Sequence, residues 1–241
     1  MERLQKIIAE RGYCSRRKAE QLILEGRVEV DGQKVDTLGF KAEKDASIRI
    51  DGKPLDQEEK VVYLLNKPKN VISSVKDEKG RTTVIDLVDV PQRIYPLGRL
   101  DFDSSGLLLL SNDGELMQKL LHPRFEADKT YQVTVDGLIR EEEVKTLCEG
   151  VVIDDRMTAP AKVKLIRQNP NKYTSFLEVT IHEGRNRQVR KMFAAAGYNV
   201  IRLHRIAEAG LTLGTLKSGE YRRLKPHEVV SLKRYLDRGD R

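Results

Sequence analysis

The stretch GRLDFDSSGLLLLSNDGEL, residues 98–116, joins a charged, glycine-flanked turn to an uninterrupted run of four leucines. The leucines predict a buried strand, and Gly98 and Gly106 allow tight backbone on either side of the turn. A carboxylate held in such a turn, Asp101 or Asp103, is rigidly placed and suits a nucleophile or a base. The alternative is that these acids only cap backbone N–H groups of the turn, which is our preferred interpretation of Asp103.

Outward from this stretch, many short apolar segments are divided by Gly and Pro. KTYQVTVDGLI, APAKVKLIRQ and TSFLEVTIHEG alternate as strands do, and NRQVRKMFAAAGYNV predicts an amphipathic helix that ends at Gly197, with Val189, Met192 and Phe193 on its inner face. Short strands with interspersed helices predict an α+β fold with a mixed, largely antiparallel sheet flanked by helices. No P-loop or GxGxxG sequence is present, so we expect no nucleotide cofactor.

The first 35 residues predict a separate small module of two short helices and a hairpin. Gly12 and Gly26 stand where a helix ends, and Ser15 can cap the second helix. Asp31-Gly32 lies between two alternating segments and predicts a two-residue hairpin turn. The polar segment DGKPLDQEEK, residues 51–60, is the expected linker to the second module.

Three cations, Arg16, Arg17 and Lys18, occupy the predicted first turn of the second helix. The helix dipole disfavours cations there, so they do not stabilise the helix itself. A bound phosphate would explain them, because cations and unpaired backbone N–H groups would point the same way. A solvated helix start is the alternative.

Charge is distributed unevenly along the 241 residues, whose net charge is +7. Residues 1–58 carry 12 basic and 12 acidic side chains, whereas residues 185–241 carry 14 basic and 5 acidic ones. This excess suits a nucleic acid or another anionic partner, although a solvated surface would also explain it.

The composition also excludes several classes of protein. Cys14 and Cys148 match no disulfide or metal spacing, and the four histidines are scattered, so we expect no metal site. The N-terminus is too charged for a signal peptide, and no apolar stretch approaches the length needed to span a bilayer. We therefore expect a cytoplasmic monomer without membrane contact.

Residues 1–50, including SRRKAEQLI and the two glycines, resemble the S4 RNA-binding domain, a small α-L module. The charged turn and its leucine run resemble the central motif of the RNA pseudouridine synthases of the RsuA/RluB/RluE/RluF branch, GRLDxxSxGLLLLTNDG. Ser111 stands where threonine is common. LLNKPKNVISS resembles the first motif of that family, KTYQV the motif with the active-site tyrosine, and IHEGRNRQVRKMFAAAGY the third motif.

This resemblance covers roughly residues 1–232 and implies an isomerase that needs no cofactor. It implies that Asp101 is the catalytic carboxylate, acting at C1′ or as the base in a glycal route. It places Tyr131 at the active-site tyrosine and Arg190 at the arginine that pairs with the aspartate. We expect S4 domain and linker at 1–58, the catalytic domain at 59–232, and a basic, disordered tail at 233–241.

The resemblance also implies ribosomal RNA, or a ribosomal subunit precursor, as partner. EGRNRQVRKMF is closer to enzymes that modify 23S rRNA than to the 16S enzyme, so we expect 23S rRNA. The candidate RNA contacts are Arg16, Arg17, Lys18, Lys67, Arg99, Arg185, Arg187 and Lys191. Three alternatives remain: a 16S rRNA enzyme, a catalytically silent rRNA-binding assembly factor, and a hydrolase that uses Asp101 and Asp103 as an acid–base pair.

Overall fold

The computed structural model describes residues 1–238, which form two compact units. The first unit comprises Met1–Val61, Val90–Ile94 and Asn112–Gly114, and the second comprises Val62–Asp89, Tyr95–Ser111 and the chain from Glu115 onward. Within residues 1–238, no helix is long and apolar enough to cross a membrane.

The first unit consists of two helices and short strands around its own apolar core. Its elements are β1 (Glu2–Arg3), α1 (Leu4–Glu10), α2 (Arg16–Leu24), β2 (Val28–Val30), β3 (Gln33–Val35), β4 (Lys41–Ala42), β5 (Ile48–Ile50) and β6 (Lys53–Pro54). β3, β2, β5 and β6 form an antiparallel sheet in that order. β6 lies inside the segment that we predicted as a linker.

The local predictions for this unit are confirmed. The Ser15 side chain accepts a hydrogen bond from the Lys18 backbone N–H and so caps α2. Gly12 and Gly26 follow the two helix ends with φ of +85° and +66°, a conformation that glycine adopts without strain. The turn between β2 and β3 has left-handed backbone at Asp31 and Gly32, as a two-residue hairpin requires.

The second unit is built on one nine-stranded mixed sheet. The strands of this sheet are β7 (Val62–Lys67), β8 (Tyr95–Leu97), β9 (Ser105–Ser111), β10 (Lys129–Asp136), β13 (Lys162–Asn169), β14 (Thr174–Ile181), β15 (Val200–Glu208), β16 (Leu211–Thr212) and β17 (Tyr221–Arg223). Two further strands, β11 (Val152–Ile153) and β12 (Arg156–Met157), pair with each other in a separate hairpin. Its helices are α3 (Gly114–Leu121), α4 (Glu141–Glu149), α5 (Gln188–Ala195) and α6 (Pro226–Asp237).

The sheet order is β13-β14-β10-β15-β9-β7-β17, with β8 beside β9 and β16 beside β15. Every pair in this sheet is antiparallel except β9 and β15, which are parallel, so the predicted mixed, largely antiparallel sheet is confirmed. All side chains of β7 and β9 are buried, because both strands lie inside the sheet and are covered on both faces.

Two further segments test the predicted elements. α5 ends before Gly197 and buries Val189, Met192 and Phe193, as predicted. α6 continues through Asp237, so the predicted disorder of the tail is wrong for residues 233–237. The tail residues 239–241 lie outside the described part of the chain.

Candidate active site

Asp101 lies in the turn between β8 and β9, and its side chain is 30 % exposed. The turn is closed by a hydrogen bond from the Ser104 N–H to the Asp101 carbonyl, at 3.1 Å. The turn leads into β9, which is buried along its whole length. The predicted turn beside a buried strand is confirmed, and Asp101 lies in that turn.

Lys67, at the end of β7, forms hydrogen bonds with the backbone of this turn. Its Nζ donates to the carbonyls of Pro68 at 3.0 Å, Asp101 at 3.1 Å and Ser104 at 2.9 Å. The side chain is completely buried, so the predicted RNA contact of Lys67 is corrected: its amine satisfies backbone carbonyls instead. Burial lowers the pKa of Lys67 to about 8, although the nearby Asp101 and Asp103 charges favour its protonated form.

Two arginines of the third motif reach the turn, and their pairing differs from the one that the resemblance implies. Arg187 approaches Asp101 at 3.5 Å and Asp103 at 3.4 Å. Arg190 pairs with Asp103 at 3.1 Å and donates to the Val200 carbonyl at 2.9 Å. The implied pair of Arg190 with Asp101 is therefore corrected, since Arg187 is the arginine within ion-pair distance of Asp101.

Asp103 is consequently more than a turn-capping acid. Burial raises its pKa, but a hydrogen bond from Arg187 and the charges of Arg190 and Arg187 outweigh burial, so its pKa lies below the ordinary value. An Asp103 anion shared by two guanidinium groups ties the turn to the start of α5, whose first residue is Gln188.

A cleft of about 640 Å³ opens beside Asp101, within the usual range for ligand pockets. Tyr131 of β10 lines it together with the apolar side chains of Ile181 and Leu203. Tyr131 is nearly completely buried, and burial raises the pKa of its hydroxyl. The structure therefore brings Asp101 and Tyr131, which are 30 residues apart in sequence, to one cleft.

Three charged residues of β10 and β15 that the sequence analysis missed line the same cleft: Lys129, Arg205 and Glu208. Arg205 and Glu208 form an ion pair of 3.1 Å, and each is only 2 % exposed. Lys129 lies opposite Glu208 in the pairing of β10 with β15. Its position two residues before Tyr131 places both side chains on one face of a strand, which is the signal that could have identified Lys129.

The remaining candidate RNA contacts fall into three groups. Arg99 is exposed at the cleft, and Arg16, Arg17 and Lys18 are exposed at the start of α2 in the first unit. The Arg185 guanidinium donates to the backbone carbonyls of Ile153, Arg156 and Met157. These hydrogen bonds stabilise the β11–β12 hairpin. Lys191 pairs with Asp154 at 2.6 Å.

Among residues 1–238, no group of three or more His, Cys, Asp or Glu side chains is arranged to hold a metal ion. The polar side chains of the cleft include carboxylates, cations and the Tyr131 phenol, groups suited to proton transfer and to hydrogen bonding with a planar, polar ligand.

Comparison with known proteins defines the class of this protein. Residues 61–195 match the RNA pseudouridylate synthase family, and residues 2–48 match the S4 domain. A solved structure, a pseudouridylate synthase, superimposes with a TM-score of 0.68 at 30 % identity, covering 96 % of this chain and 100 % of that one. The chain belongs to the RNA pseudouridylate synthase family and is an enzyme that isomerises uridine in RNA to pseudouridine.

Within that family, the chain belongs to the RsuA/RluB/RluE/RluF branch. It is 51 % identical to the ribosomal large subunit pseudouridine synthase B of Bacillus subtilis, over 99 % of this chain and 98 % of the relative. It is 35 % identical to the dual-specificity RNA pseudouridine synthase RluF of Escherichia coli K12, over 95 % and 78 % respectively. The predicted family, fold and type of reaction are thereby confirmed.

Proposed function

We propose that this enzyme, acting as a monomer, isomerises one uridine of 23S rRNA, in the free RNA or in a precursor of the large subunit. The support comes from the Bacillus relative, whose name specifies the large ribosomal subunit and whose length this chain spans almost completely. The third motif, EGRNRQVRKMF, favours the same RNA, because it resembles the motif of enzymes that modify 23S rRNA more than that of the 16S enzyme. The Escherichia coli relative carries the description dual-specificity, so a second RNA target is the alternative that the experiment must address.

We further propose that Asp101 is the catalytic carboxylate. The observation that carries this proposal is its position at a cleft that also contains the buried ring of Tyr131. The reaction breaks the N1–C1′ bond of uridine and forms a C5–C1′ bond, while the C5 proton is lost and N1 gains a proton. An ionised carboxylate can attack C1′ or remove a proton in a glycal route, and the cleft accommodates either role.

In this proposal Tyr131 stacks on the flipped base, and Arg187 and Arg190 position the Asp101 turn. Stacking on an aromatic ring contributes about 1–3 kcal/mol per base, which offsets much of the cost of flipping a uridine out of RNA. The Arg187 guanidinium lies 3.5 Å from the Asp101 carboxylate and can hold it in position. Arg190 acts through Asp103, which it holds at 3.1 Å, and so positions the turn.

The experiment measures tritium release from 5-³H-uridine-labelled 23S and 16S rRNA transcripts by the wild type and by Asp101→Asn. We expect release from the 23S transcript by the wild type, and a loss of at least about 1,000-fold in Asp101→Asn, whose amide is neither a nucleophile nor a base. The matched control is Asp77→Asn, which also removes an arginine-paired carboxylate, 2.8 Å from Arg81, but lies outside the cleft.

The other outcomes separate the alternatives. Release from the 16S transcript alone would replace the proposed target, and release that survives in Asp101→Asn would overturn the assignment of the carboxylate. Free uracil in the supernatant would indicate hydrolysis. If neither transcript is modified, the same assay on subunit precursors distinguishes a precursor-specific enzyme from a silent assembly factor.

A further inference from the structure

A charged cluster formed by Lys129, Arg205 and Glu208 lies in the wall of the proposed catalytic cleft. All three residues line the cleft that contains Asp101 and Tyr131. The Arg205 Nε donates to the Leu107 carbonyl at 2.7 Å, and the Lys129 Nζ donates to the Ala127 carbonyl at 2.8 Å. These bonds fix the two cations while leaving each of them further N–H groups to donate.

The pair at the centre of this cluster is incompletely satisfied. Arg205 Nη2 and Glu208 Oε2 face each other at 3.1 Å, yet neither buried atom makes an aligned hydrogen bond with any residue in 1–238. A buried charge without its full set of hydrogen bonds is costly, and a buried ion pair often contributes little to stability. Such a pair in a cleft is readily explained if a ligand completes its hydrogen bonds.

The uracil ring offers the complementary groups. Its hydrogen-bonding edge presents a carbonyl acceptor, the N3–H donor and a second carbonyl acceptor, in that order. A carboxylate flanked by two cations presents the reverse pattern of donor, acceptor and donor. We infer that Glu208 accepts the N3–H of the flipped uracil, and that Arg205 and Lys129 donate to its two carbonyl oxygens. This inference rests on the proposed assignment of the cleft as the catalytic site.

The same arrangement suits the rotation that the isomerisation requires. Once the N1–C1′ bond is broken, C5 must take the place of N1. A half turn about the line through N3 and C6 exchanges N1 with C5 and O2 with O4, while N3–H stays on the axis. Glu208 can therefore keep its hydrogen bond during the rotation, and the two cations receive the same pattern of carbonyls before and after it.

This geometry also explains how the cleft would reject cytosine. The unprotonated N3 of cytosine would place a lone pair against the Glu208 carboxylate, and its exocyclic amine would face a cation that can only donate. Sites built to hydrogen-bond a substrate N–H discriminate strongly against analogues that lack it, because their own buried polar groups are then left unpaired. Glu208 is thus a specificity-determining residue in this inference.

The test uses a short RNA that contains whichever uridine the wild-type enzyme is found to modify, prepared with either uridine or 3-methyluridine at that position. Single-turnover isomerisation is followed by nucleoside chromatography. We expect the wild type to be at least about 100-fold slower on 3-methyluridine. Glu208→Ala should lose about 100-fold on uridine but reduce its preference over 3-methyluridine to below about tenfold, since the methyl group fits the vacated space.

A second variant keeps the volume of the side chain. The Glu208→Gln amide can donate to the N3 of cytosine, so RNA carrying cytidine at the target position should inhibit Glu208→Gln at least about tenfold better than it inhibits the wild type. The matched control is Glu228→Ala, which breaks another arginine–glutamate pair, 2.8 Å from Arg222, away from the cleft. It should keep the wild-type preference for uridine over 3-methyluridine.

The inference would be overturned if Glu208→Ala slowed the uridine and 3-methyluridine RNAs equally and Glu208→Gln were inhibited by cytidine RNA no better than the wild type. The Arg205–Glu208 ion pair would then have a structural role. Full activity of Glu208→Ala on uridine would overturn the inference as well. These results are independent of which rRNA is the target, because the RNA is chosen by wild-type activity. The Asp101→Asn variant on the same RNA tests the assignment of the cleft separately.

Discussion

At the scale of single residues, the Asp101 turn depends on the buried amine of Lys67. Burial lowers its pKa to about 8 in the folded chain, against about 10.4 in an unfolded one. Between these two values the unfolded state binds the extra proton, so the contribution of Lys67 to stability increases as pH rises. We expect the free energy of unfolding of the wild type, relative to Lys67→Met, to rise by about 3 kcal/mol from pH 7 to pH 10.5.

Urea unfolding of both proteins at several pH values measures this difference, and the comparison cancels the titration of all other groups. A difference that stays constant over the range would mean that the Lys67 amine titrates alike in both states. The substitution should also lower stability at pH 7, because it leaves three buried or partly buried backbone carbonyls without their common donor.

The sequence was informative about some single residues and misleading about others. Asp101 and Tyr131 stand in contiguous motifs, so a resemblance alone was enough to propose them as site residues, and the structure places both at one cleft. The pairing of Arg187 with Asp101 depends on how α5 meets the turn, and the two residues are 86 positions apart in sequence. The burial of Lys67 could not be read from the sequence either, because a lysine before proline is as easily a surface residue.

At the scale of elements, strand periodicity predicted most of the sheet but gave no sign that Arg205 and Glu208 lie on the same face of β15. In a regular strand, residues three apart point to opposite faces, which separates Arg205 from Glu208. In β15 the pairing with β10 shifts by one residue, since Tyr131 pairs with Arg205 whereas Thr130 pairs with Ala207. This bulge leaves Ile206 unpaired and turns Arg205 and Glu208 to the same side.

The close approach of the paired strands β9 and β15 leads to a prediction at this scale. Gly106 has φ of +115°, and a Cβ there would lie 2.2 Å from the Arg205 carbonyl oxygen. Gly106→Ala must therefore separate the parallel strands at Arg205, and we expect it to destabilise the protein by at least about 3 kcal/mol. Thermal and urea unfolding measure the loss.

The control for this change is Gly214→Ala. Gly214 also has positive φ, +58°, but a Cβ there meets no atom within 4 Å, so about 1 kcal/mol of backbone strain is expected. Equal losses in the two variants would show that the close approach of β9 to β15 adds nothing to the strain. A larger loss for Gly106→Ala measures the combined cost of that approach and of a φ of +115°, which lies outside the left-handed region that Gly214 occupies.

At the scale of the whole molecule, the sequence predicted two modules in the right order. The structure divides the chain after Val61 and assigns Val90–Ile94 and Asn112–Gly114 to the first unit as well. A prediction that divides the chain at a single position cannot include these two segments in the first unit, because they belong to it through contacts in space and not through their place in the sequence. In the first unit, for example, Asn112 Oδ1 accepts a hydrogen bond from the Val61 backbone N–H at 2.8 Å.

Recognition of RNA by the first unit gives a prediction for the entire enzyme. The side chains of Arg16, Arg17 and Lys18 are exposed at the start of α2, where cations do not stabilise the helix. If they bind phosphates, changing all three to Gln should weaken RNA binding and reduce the slope of log K against log salt by about 2 to 3. The rate at saturating RNA should stay unchanged, because the proposed catalytic cleft is lined by residues of the second unit.

Filter binding of the RNA between about 50 and 200 mM salt measures the slope, and single-turnover assays measure the rate. The control changes three exposed lysines elsewhere in the first unit to Gln, Lys34, Lys41 and Lys53, which removes the same net charge. An equal fall in slope for both triple variants would show that net charge alone attracts RNA. A fall confined to the first variant would identify the start of α2 as a phosphate-binding position, because only local contacts distinguish two proteins of equal charge.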